Sequence, residues 1–264
     1  LTDEGIIHIP GLLSRYVRLA NGMKAHYVTA GETGPAVILL HGGIEGSSGT
    51  AGWRFMATML GANGFSVYCP DRPGYGLSDV SKPEYIRQDR KSNIDFVTQF
   101  ADALGIDKFH IGGNSSGGMI CTDYMVHCPE RLLSAGLIAC SVGDIAPEFH
   151  DGGMRQPKEG KFTPNPDYVP PHFDGTEDSM RELMTGIMNK PEAVWPELVT
   201  MRTRAALRHR AARPGESAGA ARSRAHADNN LRVVVTTKNR LDKLDIPVIH
   251  LWGLQDTFLP CENA

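Results

Sequence analysis

The residues with the most chemistry to offer stand in Gly113-Asn114-Ser115-Ser116-Gly117, between the apolar stretch Phe109–Gly113 and a stretch of helical character, Met119–Val126. A serine perched on a tight strand-to-helix bend needs small neighbours, because the backbone is strained there and other chain segments approach closely. Such a bend lifts Oγ clear of the sheet, where it can attack a carbonyl. The helix that follows presents free N–H groups and the positive end of its dipole to an oxyanion forming beside it. The pattern predicts Ser115 as a nucleophile and the N–H of Ser116 as an oxyanion donor. The competing reading is a small-residue turn used only for packing.

A second glycine-rich turn, His41-Gly42-Gly43, closes the apolar run Ala36–Leu40 and can aim the N–H of Gly43 at the same oxyanion. His41 itself reads as a buried histidine bracing that turn. Farther on, Trp252-Gly253-Leu254-Gln255-Asp256 places a carboxylate just past an apolar run, with Pro260 beyond it. In an open parallel sheet, ligands bind beyond the carboxyl ends of the strands. Asp256 is therefore the candidate for orienting a catalytic imidazole. Asp144 is the competing acid, and either could instead cap a helix.

These groups need a scaffold that brings distant strand ends together. Residues 15–31 form two alternating runs joined by Asn21-Gly22, which predicts a β-hairpin with a type I′ turn. Strands are then expected over Ala36–Leu40, Phe65–Cys69, Phe109–Gly113, Leu132–Cys140 and Pro247–Gly253. Helical stretches, Trp53–Gly61, Asn93–Leu104 and Met119–Val126, fall between the earlier ones. Strands alternating with helices argue an α/β fold with a mostly parallel sheet and right-handed crossovers. The expected division is a core over 1–144, a helical lid inserted at 145–232, and the second part of the core at 233–264. Within the insertion, helices are expected near Met180–Met188 and Glu192–Leu207. Residues 208–230 are dominated by Ala and Arg and contain no Val, Ile, Leu, Met or aromatic residue, which predicts a mobile loop.

At 264 residues the chain could bury roughly three quarters of the surface its unfolded form exposes, enough for a sizeable core. A net charge of −3 supplies no general field for nucleic acid or an anionic membrane. Five cysteines without a C-x-x-C pair argue against a disulfide framework and against a structural zinc site, and point to a reducing, cytoplasmic setting. The acidic start of the chain does not read as a signal peptide, and no apolar run is long enough to span a membrane. No phosphate-cradling loop or metal-spaced cluster is present, so no cofactor is expected. The expected partner is a small-molecule substrate, with self-association into a homo-oligomer left open.

From the hairpin to Asp256 the chain resembles the α/β-hydrolases, through LLHGG, the CPDRPGYGLSD turn at 69–79, GGNSSGG and LWGLQDTFLP in that order. Within them, GNSSGG, the lid placement and VWPELVTMRTRA resemble the meta-cleavage-product hydrolases, which cleave a C–C bond in vinylogous diketones from aromatic-ring degradation. That resemblance implies a triad of Ser115, Asp256 and a histidine, and substrate-binding positions at Gly42, Asn114 and Arg202. Asn114 and Arg202 would hold the substrate's 2-oxo and carboxylate groups; arginine offers a carboxylate a bidentate fork. The plainer readings are a turn-stabilising Asn114 and an Arg202 on a solvated helix face among Arg204, Arg208 and Arg210. A carboxylesterase for small acyl esters and a receptor-like, inactive ligand binder are the alternatives on the same fold.

Two departures stand out. Ser116 replaces the usual Met of GNSMGG, and HGGIEGSS lacks the HGxGPG form. All ten histidines precede Asp256, whereas the superfamily order places the base after the last strand. The resemblance thus implies a base beyond Ala264, together with a final strand and helix.

Overall fold

The computed structural model describes residues 1–140, 142, 172–188, 190–214, 236–237, 239–254 and 256. Their strands are β1 (Leu13–Arg18), β2 (Lys24–Ala30), β3 (Ala36–Leu40), β4 (Ser66–Pro70), β5 (Phe109–Asn114), β6 (Leu132–Ile138) and β7 (Val248–Leu251). They form one seven-stranded sheet in the order β1-β2-β4-β3-β5-β6-β7. The β1–β2 and β2–β4 pairs are antiparallel, and every later pair is parallel. This is the α/β architecture that the alternation of runs predicts.

Strands buried on both faces explain the continuous apolar runs. Along β3, successive side chains point to opposite sides. Ile38 and Leu40 join a core with Phe96, Phe100, Phe109 and Tyr124, built on helices α2 (Arg90–Ala103) and α3 (Ser116–His127). Val37 and Leu39 join the opposite core with Ala51, Trp53 and Ala57 of helix α1 (Gly49–Ala62). That second core also takes Met180 and Met184 from α4 (Glu177–Ile187), and Leu198 and Val199 from α5 (Pro196–Ala212). Helices α4 and α5 therefore share their apolar faces with α1. Among the described residues, no helix is long and apolar enough to cross a membrane.

Some local expectations change. The hairpin is present, with Arg18 opposite Lys24, but its connection runs Leu19–Met23. A type I′ turn needs positive φ at both central residues, and here only Gly22 has it, at +90°. The Asn21 side chain instead accepts a bond from the N–H of Met23, which holds a wider turn. Helix α1 begins at Gly49, earlier than the apolar pattern suggests, because the Ser48 hydroxyl caps it by accepting from the N–H of Ala51. Helix α5 continues to Ala212, into the stretch expected to be a loop. Ala and Arg are strong helix formers, and polar contacts replace the missing apolar face: His209 and Arg213 are both buried. The remainder of that stretch, from 215 onward, and the Pro-rich part of the insertion lie outside the described residues, as do Asp144 and Cys261.

Candidate functional site

The chain passes from β3 through α1 to β4 on one side, then through α2 to β5 on the other, so the strand order reverses at β3. Such a switch point leaves a crevice at the carboxyl ends of the two neighbouring strands. Leu40 pairs with Gly113 across β3 and β5, which sets His41-Gly42-Gly43 directly beside Asn114-Ser115-Ser116. A methyl placed on Gly42 would lie 3.4 Å from Ser115 Cβ and 3.3 Å from Asn114 Nδ2.

Ser115 adopts φ 52° and ψ −128°, a backbone conformation that non-glycine residues rarely take and that marks strain held by its surroundings. Two bonds hold it: its N–H donates to the Ile138 carbonyl at the end of β6 (3.0 Å), and its carbonyl accepts from the N–H of Met119 (3.1 Å). Its side chain does not cap α3 and is half-buried. The bend works because Gly117 lets the first turn of α3 press against β3. A methyl there would sit 2.2 Å from the Leu40 carbonyl oxygen. Ser116 is the first residue of α3, where the backbone N–H has no intrahelical acceptor.

His41 is buried and carries two hydrogen bonds that fix its tautomer. Its Nε2 accepts from the Arg72 backbone N–H (3.1 Å), so Nδ1 holds the proton and donates to the Gly42 carbonyl (2.7 Å). Burial, reinforced by the Arg72 guanidinium, brings its pKa down to about 3. It is a neutral brace of the turn, as its position in the sequence suggests.

Arg202 departs from the reading of a solvated helix face. It is buried, and its Nη2 donates to the Glu45 carbonyl (2.8 Å) just past the HGG turn. Burial, with Arg54 nearby, brings its pKa down to about 10, so it stays cationic at neutral pH. Its Nε is buried without a hydrogen-bond partner among the described residues. Asp256 lies past the end of β7, half-buried, with its N–H donating to the Gly253 carbonyl (3.1 Å). Because β7 is two strands from β5 and parallel to it, Asp256 lies beyond the same sheet edge as Ser115.

The segment Asp71–Ser78 is where reading for site residues fell short. Asp71 is buried, and its carboxylate accepts from His26 Nδ1 (2.6 Å) and from the N–H groups of Gly49 and Leu77 (2.7 Å each). Burial alone would raise its pKa, but His26 and those donors leave it lowered. Arg72 Nη1 donates to the His41 carbonyl (2.6 Å) and to Ser116 Oγ (2.8 Å). Tyr75 packs edge-on against His41, and its hydroxyl donates to the Gly43 carbonyl (3.1 Å). The available signal was a charged pair, Asp71-Arg72, directly after a buried strand at the ligand-binding edge. A cavity between the N-terminal segment and α5, lined in part by Glu4, Ser48, Asp71, Leu77 and Arg208, touches none of the residues expected from the sequence to form the site.

Comparison with known proteins places this geometry in context. A family profile describing the alpha/beta hydrolase fold matches residues 35–264. Among curated proteins, a 2-hydroxy-6-oxononadienedioate/2-hydroxy-6-oxononatrienedioate hydrolase of Pseudomonas putida is 27% identical over 95% of this chain and 83% of its own length. A 2-hydroxy-6-oxo-6-phenylhexa-2,4-dienoate hydrolase of Comamonas testosteroni is 40% identical over a shorter stretch, 40% of this chain and 36% of its own. Among solved structures, a meta-cleavage product hydrolase from Pseudomonas fluorescens superposes with a TM-score of 0.66 at 24% identity, covering 94% of this chain and 82% of that one.

Proposed function

The chain belongs to the α/β-hydrolase fold family, a family of hydrolases, and from that premise we propose that it is a serine hydrolase cleaving a C–C bond in a ring-fission product of aromatic degradation. The observation that carries the reading is Ser115, held at positive φ on the bend between β5 and α3, with its Cβ 3.4 Å from where a methyl on Gly42 would sit. Curated relatives similar over nearly the whole chain are named as 2-hydroxy-6-oxononadienedioate/2-hydroxy-6-oxononatrienedioate hydrolases, which supports the reaction class.

The substrate dienol first ketonises. Ser115 Oγ then attacks the distal ketone carbon, and its proton passes to a histidine base oriented by Asp256. The carbonyl π pair becomes an oxyanion held by the N–H groups of Gly43 and Ser116. When the oxyanion collapses, the C–C bond breaks, its electron pair moves through the fragment conjugated to the 2-oxo group, and the resulting enolate oxygen takes the proton back from the histidine. That fragment leaves as a hydroxydienoate, and the acyl group stays on Ser115 until water releases it as a carboxylic acid. Arg202 pairs with the substrate carboxylate, and Asn114, with Gly42 beside it, holds the 2-oxo group.

The test is turnover of a yellow ring-fission product and of a p-nitrophenyl ester by the full-length protein and by Ser115→Ala. The expected result is ring-fission turnover that Ser115→Ala abolishes. Turnover of the ester alone would replace this reading with a carboxylesterase, and undiminished activity in Ser115→Ala would remove the nucleophile assignment. Arg202→Ala should weaken the carboxylate-bearing substrate far more than the neutral ester; an equal loss on both would contradict its role.

A further inference from the structure

Both halves of the proposed oxyanion hole meet on one side chain that no triad reading uses. Arg72 is 4% exposed and holds the end of β3 twice, through its backbone N–H on His41 Nε2 (3.1 Å) and through Nη1 on the His41 carbonyl (2.6 Å). The second hydrogen on Nη1 goes to Ser116 Oγ (2.8 Å), the side chain of the first residue of α3. The Arg72 guanidinium also lies 5.2 Å from the centroid of the Tyr75 ring, and the Tyr75 hydroxyl donates to the Gly43 carbonyl (3.1 Å).

We infer that Arg72 is a positioning residue that sets the distance between the Gly43 and Ser116 N–H donors, with Ser116 Oγ as its handle on α3. This inference rests on the serine-hydrolase reading above and adds a residue to it. The two donors come from chain segments about seventy residues apart, and no strand ladder includes either of them. The Leu40–Gly113 register brings the turns side by side, and a bond between the turns ties the donors beyond the end of that ladder. Charge-assisted bonds suit that task, since they are shorter and stronger than neutral ones and a guanidinium directs its donors in a plane. The serine standing where GNSMGG has methionine thereby acquires a function, because a thioether in that place could accept only weakly from the guanidinium.

The experiment compares Ser116→Ala, Arg72→Met and the double variant in the full-length protein. It measures kcat and KM for a p-nitrophenyl ester and the affinity for an alkyl boronic acid. Boron accepts an electron pair from Ser115 Oγ while the serine proton passes to the base, leaving a tetrahedral anion with one B–OH oxygen in the hole. Misplacing a donor costs less than removing it, so each single variant should lose about tenfold in kcat, short of the 10²–10³ typical of a deleted donor. Boronate affinity should fall by the same factor while KM moves less than about twofold. The double variant should be no worse than the poorer single one, because both substitutions break the same bond.

A Ser116→Ala protein with parental kcat and boronate affinity overturns the inference, as do losses that multiply in the double variant. Ser116→Ala removes a single oxygen and keeps the test available should Arg72→Met fold poorly. Ser115→Ala separates the two levels: if it abolishes turnover and adduct formation while Ser116→Ala is silent, the inference about Arg72 alone fails. If Ser115→Ala keeps both, the serine-hydrolase reading falls and takes this inference with it.

Discussion

His41 should make the fold pH-sensitive in a window set by its burial. Its ring is enclosed, and Nε2 is already committed to the Arg72 N–H, so protonation would turn that acceptor into a second donor facing a donor. The folded pKa of about 3 compares with about 6.5 for an unfolded imidazole. Between those values the unfolded chain binds a proton that the folded chain refuses. Stability is therefore complete above pH 6.5 and is lost as pH falls toward 3. At pH 5 the loss from this residue is RT ln(1 + 10^1.5), about 2 kcal/mol, against about 0.2 kcal/mol at pH 7. In a chain of this length that corresponds to a Tm lower by roughly 4–8 °C.

The assay is urea unfolding of the parent and of His41→Gln at pH 7 and pH 5. Other histidines whose pKa is lowered, His110 and His127, contribute equally to both proteins and cancel in the difference. The parent should lose about 2 kcal/mol more than the variant on going from pH 7 to pH 5. Equal losses in the two proteins would refute the claim that His41 is held neutral by its surroundings.

Other perturbations test other parts of the scaffold. Gly117→Ala drives a methyl into the Leu40 carbonyl, so the variant should lose Ser115-dependent activity and several degrees of Tm; normal values for both would mean that α3 and β3 are not in that contact. Asp71→Asn turns one acceptor oxygen into an N–H₂ facing the donors His26, Gly49 and Leu77, and should cost about 1–3 kcal/mol in denaturant unfolding, with an unchanged stability counting against that network. Phe109→Ala opens a hole against Tyr124 in the core of α2 and α3 and should cost about 3–5 kcal/mol by the same measurement, while a near-neutral result would show that this face is not closely packed.

What the chain reveals before it is folded follows from how local each determinant is. The strands are legible because burial on both faces writes itself as uninterrupted apolar runs, as in Ala36–Leu40. The bend at Ser115 is legible because only small residues allow α3 to press on β3, and those residues are consecutive in the sequence. The wider hairpin turn escapes, since Asn21-Gly22 is compatible with more than one turn and the bond from Met23 to the Asn21 side chain chooses between them. The polar residues escape for a different reason. Arg72 is buried by partners 31 and 44 residues away, and Arg202 by a carbonyl 157 residues away. An arginine carries its own apolar stem, so whether it covers a surface or fills an interior depends on where carbonyl oxygens wait for it. Those carbonyls belong to turns whose place is fixed only once β3 and β5 lie side by side. The groups proposed to position the oxyanion donors are thus specified by the register Leu40–Gly113 and not by any motif, and substitutions that shift that register should disturb Arg72 before they disturb Ser115.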